Sequence, residues 1–185
     1  MARQADALPC LARIDDLWRR SPRARYCLRL VAFLAGFAVL FESSQELWTR
    51  LYLRPVCRTT TAVLAAAGFA ARLDASTLSQ GFCTIVMEQT SLRVIPECTG
   101  IFTLFIYLAA VLAYPATLGA RAWGVTLGVG GVFLFSTARL VVLGVVGQAI
   151  PAWLTLFHMG LMVVANLGFA LFLWLWWTGR VGRDG

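Results

Sequence analysis

Lysine is absent from this chain, histidine occurs once, as His158, and none of the five cysteines stands in a C-x-x-C pair. The missing lysine means that the net charge of +7 is carried by arginine alone. A single histidine with cysteines at unpaired spacings does not supply the ligands of a zinc site, so neither a metal nor another cofactor is expected. Charge itself is scarce: 14% of the residues are charged, against about a quarter in soluble domains. That shortage, with 59% hydrophobic residues and a mean hydropathy of +0.75, excludes an ordinary soluble domain and marks an integral membrane protein. The arginines flank apolar runs instead of lining a polar face, which makes them an orientation signal and speaks against a nucleic-acid partner.

Residues 28–47, 101–118, 122–146 and 152–177 are apolar runs, each long enough to cross a hydrocarbon core of about 30 Å. Tyr26 and Trp48 bracket the first, and Trp153 and Trp174 bracket the last, as interfacial anchors do. A cleaved signal peptide is the rival reading of the first run, but Glu42-Ser43-Ser44 offers no small-x-small cleavage site. The alanine-rich stretch 59–73 is short for a span. With four crossings, Arg3 to Arg29, Arg121, Arg180 and Arg183 all face the cytoplasm, whereas a fifth at 59–73 would place the last three outside. The stretch is therefore read as a helix lying on or dipping into the outer face. Phe82 to Met87 and Leu92 to Ile95 are β-rich runs separated by Glu88-Gln89-Thr90-Ser91, which predicts a small extracytoplasmic hairpin ending at Pro96. The expected fold is an all-α polytopic membrane protein, with about four transmembrane helices, an outer-face helix and that hairpin. Its parts are a basic cytoplasmic segment, 1–27, one membrane-embedded domain, 28–177, and a short cytoplasmic tail, 178–185.

Polar groups inside such runs are costly and are usually kept for function. Arg139 lies within the third run and His158 within the fourth, while Cys98 stands at the mouth of the second. From Cys98 to Arg139 is about 60 Å of helix, roughly one passage through the core and one back, so Arg139 returns to the Cys98 side. Arg139 lies about 13 Å before the turn near Gln148 to Pro151 and His158 about 10 Å after it, so the two reach similar depth. On its helix Arg139 shares a face with Gly124, Gly128 and Gly131, a small-residue face suited to packing against other helices. His158 similarly shares a face with Ala165. Taken singly, each residue has a plainer reading: a buried hydrophobe, a snorkelling arginine, or a histidine bonded to a carbonyl. Together they place a nucleophile, a base and a fixed cation on one side at compatible depth. Glu97 reads as a solvated interfacial charge.

A thiol becomes a nucleophile on ionising, and histidine is its usual base. Arginine stays protonated, so its fork of donors suits an oxyanion or a thiolate. Acyl transfer through a Cys98 thioester, with His158 as acid and base, is the reaction class these types allow.

The runs Glu97-Cys98-Thr99-Gly100-Ile101, Ser136-Thr137-Ala138-Arg139-Leu140 and Phe157-His158 resemble the Cys, Arg and His motifs of the exosortase/archaeosortase family. The resemblance covers residues 59–177. It implies a polytopic membrane transpeptidase that cleaves C-terminal sorting signals of the PEP-CTERM type and passes exported proteins to an envelope or surface acceptor. By the same resemblance Cys98 is the nucleophile, Arg139 the electrostatic partner and His158 the acid/base. The site would face outward from the inner (cytoplasmic) membrane, with the bilayer and exported proteins as partners. Many members carry Asn three residues before the arginine, where this chain has Ser136.

Two other classes share these residues. One is a non-catalytic assembly or transport subunit with an Arg139/His158 interhelical lock or proton relay; the other is a membrane acyltransferase or hydrolase using the same set. The topology also places Cys57 and Cys83 outside the cytoplasm with Cys98, where disulfides persist. A catalytic cysteine must stay reduced, so any bridge joins Cys57 to Cys83, the alternative being two unpaired buried thiols.

Overall fold

The computed structural model describes residues 21–182. Most of the basic segment 1–27, with Arg3 and Cys10, and the end of the tail with Arg183 therefore lie outside the described residues. Helix α1 (Pro22–Ser43) begins where Ser21 accepts a hydrogen bond from the Ala24 N–H and Pro22 presets the first turn. It starts before the expected boundary at Leu28 and stops before Leu47, because Ser44 leaves helical geometry beside Glu42-Ser43. A short turn (Gln45–Trp48), a π-helical turn (Thr49–Leu53) and α2 (Arg54–Ala66) follow. Helix α2 buries Val56, Cys57, Thr60 and Leu64 along one face, the stripe that helical periodicity creates, and exposes Arg54 and Arg58.

The expected helix over 59–73 is corrected in its second half. Gly68, at φ +92°, ends the helix through a left-handed turn that only glycine enters without penalty. Arg72–Asp74 is instead strand β1, and the predicted hairpin is a three-stranded antiparallel sheet of β1, β2 (Cys83–Val86) and β3 (Ser91–Val94), in the order β1-β2-β3. Cys83, Ile85 and Val94 are buried on its inner face. A disulfide joins Cys57 to Cys83 and so fastens α2 to β2.

Helix α3 (Ile101–Ala113) is the central one, packed against α1, α4 (Leu118–Ala149) and α5 (Met162–Val181). Its short length has a local cause: Pro115 forces Tyr114 into extended backbone, and the chain turns at once into α4. Gly124 and Gly128 are buried on the face of α4 that meets α3. A β-carbon at Gly128 would collide with the Tyr107 ring, and one at Gly124 would lie 2.7 Å from Trp177 Nε1. The missing side chains are thus what lets α4 close on its neighbours.

The molecule is mostly helical, and among the described residues three helices, α1, α4 and α5, are long and apolar enough to cross a membrane. Helix α1 exposes Leu28, Val31, Phe33, Val39 and Leu40, and α5 exposes Val163, Val164, Leu167, Leu171, Phe172 and Leu175. Apolar surface on this scale suits lipid and marks the chain as a membrane protein. The expected run over 152–177 is not one regular helix. Pro151–Trp153 forms a 3-10 turn, Leu154–Leu156 a single α turn and Phe157–Leu161 a π-helical turn before α5 begins.

Candidate active site

Three backbone irregularities position the polar side chains. Pro96 and the extended Ile95 direct the chain out of β3 into a 3-10 turn, Pro96–Thr99. That turn is closed by the Cys98 N–H donating to the Ile95 carbonyl (2.9 Å) and by the Thr99 hydroxyl donating to the Pro96 carbonyl (2.6 Å). Gly100, at φ +72°, reverses the backbone and opens α3. Cys98 is thereby held at the head of the central helix, 8% exposed. His158 stands on the π-helical turn Phe157–Leu161, a departure from α geometry of the sort often found at functional positions.

Cys98 Sγ lies 3.6 Å from His158 Nε2, across 60 residues of sequence. Arg139, on α4, is 7% exposed and lies within direct electrostatic range of both Cys98 and His158. Among the described residues its Nε is buried without a hydrogen-bond partner, and no carboxylate pairs with it. A buried guanidinium with a free donor can serve a charge that arrives or develops nearby. The three residues singled out in the sequence therefore fall in one region, Cys98 and His158 in contact and Arg139 buried on α4 with its charge acting on both. Glu97 points into solvent. No cluster of metal-ligating side chains occurs among the described residues.

A cleft of about 330 Å³ opens onto Cys98 and His158. One wall is strand β3, Ser91 to Val94; the other is apolar, formed by Leu140, Leu143 and Leu154. It is large enough for a few residues of extended chain. A larger cavity of about 850 Å³, lined by Arg29, Arg121 and Arg180, contains none of the three residues.

Sequence reasoning missed the polar packing under Gly100. Among the described residues, Ser136 Oγ and Asn166 Oδ1 are buried without partners, and a β-carbon on Gly100 would lie 3.0 Å and 3.3 Å from them. The Asn166 amide donates to the Thr103 hydroxyl at 2.6 Å, tying α5 to α3. Asn166 is the chain's only asparagine, set in an apolar run, and that isolation was the available signal. The role of β3 as a cleft wall depends on tertiary placement and left no mark in the sequence.

No protein-family description, curated protein or solved structure matches this chain.

Proposed function

We propose that the chain is a membrane-embedded cysteine transpeptidase of the exosortase/archaeosortase type, acting on C-terminal sorting signals of exported proteins. The observation that carries this reading is the 3.6 Å approach of Cys98 Sγ to His158 Nε2, beside the buried Arg139. A thiol, an imidazole and a guanidinium drawn from three separate elements form a set suited to acyl transfer, as nucleophile, base and oxyanion donor. The route from motif to role rests on the resemblance of the three short runs around these residues.

In the proposed reaction His158 Nε2 takes the proton from Cys98 Sγ, and the thiolate attacks the carbonyl carbon of the scissile peptide bond. The negative charge that develops on the carbonyl oxygen is met by the guanidinium of Arg139. The C–N bond breaks, His158 returns its proton to the departing amine, and an acyl thioester remains on Cys98. An acceptor amine, or water, then attacks that carbonyl, giving up its proton to His158 as the C–S bond breaks and the thiolate is released.

The topology that goes with this reading has four crossings, the fourth being α3. Its 13 residues rise about 20 Å. Enclosure by α1, α4 and α5 lets a short helix sit at membrane depth without meeting lipid on every side. The basic N-terminus would then face the cytoplasm, and the sheet with its cleft the opposite side of the inner membrane.

Substitution of Cys98 tests the function directly. Cys98→Ala and Cys98→Ser, each inserted normally in the membrane, should abolish processing of the sorted protein, because a serine hydroxyl is not ionised by this pair as a thiol is. Retained processing by Cys98→Ser would instead favour the interhelical lock or proton relay, which needs no thiol.

A further inference from the structure

Among the described residues, strand β3 is hydrogen-bonded on one side only: the sheet order β1-β2-β3 leaves it at an edge. The phase of the ladder says which of its groups are unused. Met87 N–H donates to the Thr90 carbonyl at 2.9 Å across the hairpin turn, which makes that pair a hydrogen-bonded one. Antiparallel pairs alternate, so Ile85 with Leu92 and Cys83 with Val94 exchange the next bonds, in the observed register. Ser91 and Arg93, opposite Val86 and Thr84, turn their N–H and carbonyl groups outward.

That outer edge borders the cleft. All four consecutive residues, Ser91 to Val94, line it, although their side chains alternate between the two faces of the sheet. A cavity in contact with every residue of a strand borders its edge, whereas one lying on a face would touch every second residue. The same cleft reaches Cys98 and His158. The Arg93 guanidinium stacks over the Phe82 ring, 3.8 Å from its centroid, which keeps this long side chain parked on its own sheet.

We infer that the edge of β3 is the substrate-binding rail: an extended peptide adds to the sheet as a further strand, pairing with the main chain of Ser91 and Arg93, and is delivered carbonyl-first to Cys98. Four residues of strand span about 13 Å, so the paired segment is short. Main-chain bonds supply affinity with little regard to sequence. Selection comes from alternate side chains, one set of which meets the apolar wall of Leu140, Leu143 and Leu154. The ligand class is thus an extended peptide that carries an apolar residue on the wall side and no proline at positions facing β3. This inference takes its substrate from the transpeptidase reading above.

The test is covalent labelling of Cys98 in the detergent-solubilised full chain, with Cys10 and Cys27 changed to serine and the Cys57–Cys83 bridge intact. Three probes are compared: an acetylated trileucyl chloromethyl ketone, acetyl-leucyl chloromethyl ketone, and iodoacetamide as a reporter of thiol reactivity alone. The peptide should label Cys98 at least tenfold faster than acetyl-leucyl chloromethyl ketone. N-methylation of the peptide nitrogen that faces β3 should slow it about fivefold, the worth of one lost hydrogen bond, and methylation of the neighbouring nitrogen should not. Arg93→Pro removes an outward donor without touching the β2 ladder and should slow the peptide similarly. An unchanged iodoacetamide rate and an intact bridge certify that Arg93→Pro is folded. The rail is overturned if every N-methyl analogue reacts like its parent, or if the tripeptide gains nothing over the single residue. Those results would leave the transpeptidase reading standing wherever Cys98→Ser abolishes processing. If Cys98→Ser still processes substrate while the N-methyl pattern holds, the rail stands and the transpeptidase reading falls.

Discussion

Removing the Cys57–Cys83 bridge is the perturbation whose size follows most directly from the fold. The bridge closes a segment with a sequence separation of 26 residues, and loop-closure entropy for a loop of this size amounts to about 3.5 kcal/mol at 25 °C. Both cysteines are fully buried, so Cys57→Ala/Cys83→Ala also leaves small voids on the inner face of the sheet. For a chain of this size a loss of that order lowers the melting temperature by roughly 7–14 °C. Thermal unfolding in detergent micelles, followed by circular dichroism with and without reductant, measures it. The reduced wild type should melt close to the double variant. A double variant that melts within about 2 °C of the oxidised wild type would refute the argument that the bridge holds α2 to the sheet. The bridge also reports sidedness, since disulfides persist outside the cytoplasm. Non-reducing peptide mapping of membranes from cells should recover the linked Cys57 and Cys83 peptides, and recovery of both as free thiols would contradict an extracytoplasmic sheet.

Arg139→Lys keeps the charge but loses the planar fork of donors, so processing should fall about a hundredfold, the usual loss for one oxyanion donor; near-normal turnover would reduce Arg139 to a point charge. Gly100→Ala should destabilise the protein by about 1–2 kcal/mol through its left-handed backbone alone. The new methyl would also press on Ser136 Oγ at 3.0 Å, so Gly100→Ala/Ser136→Gly should recover part of the activity and none of the backbone penalty; the rate and the melting temperature separate the two effects. A thiol reagent that cannot cross membranes, applied to single reactive cysteines at positions 72 and 118, should label position 72 only, and labelling at 118 would instead place a crossing within 59–73.

Hydropathy alone made the membrane class and the order of the helices legible, because runs such as 122–146 have few readings other than a span. Counting helical rise also anticipated the meeting of Cys98 with His158, since antiparallel helices joined by short turns fix relative depth. What escaped was governed by short-range events with no periodicity. The three residues of β1 are too few to alternate visibly, and their strand character depends on pairing with β2. The apolar run continues past Pro115 to Leu118, so hydropathy does not mark the helix end at Ala113. The π-helical turn carrying His158 and the polar packing of Ser136 and Asn166 under Gly100 arise from how neighbouring helices meet. The free edge of β3 required the register, which sequence alone does not specify.

The central claim is that Cys98 carries the acyl group during transfer. Rapid acid quenching of the membrane protein mixed with a sorting-signal substrate, followed by mass spectrometry of the Cys98 peptide, measures this directly. The account predicts an adduct on Cys98 whose mass equals the acyl portion of the cleaved substrate, discharged by neutral hydroxylamine and accumulating when the acceptor is withheld. Efficient processing with Cys98 unmodified at every time point, or with the acyl group on another residue, would contradict it.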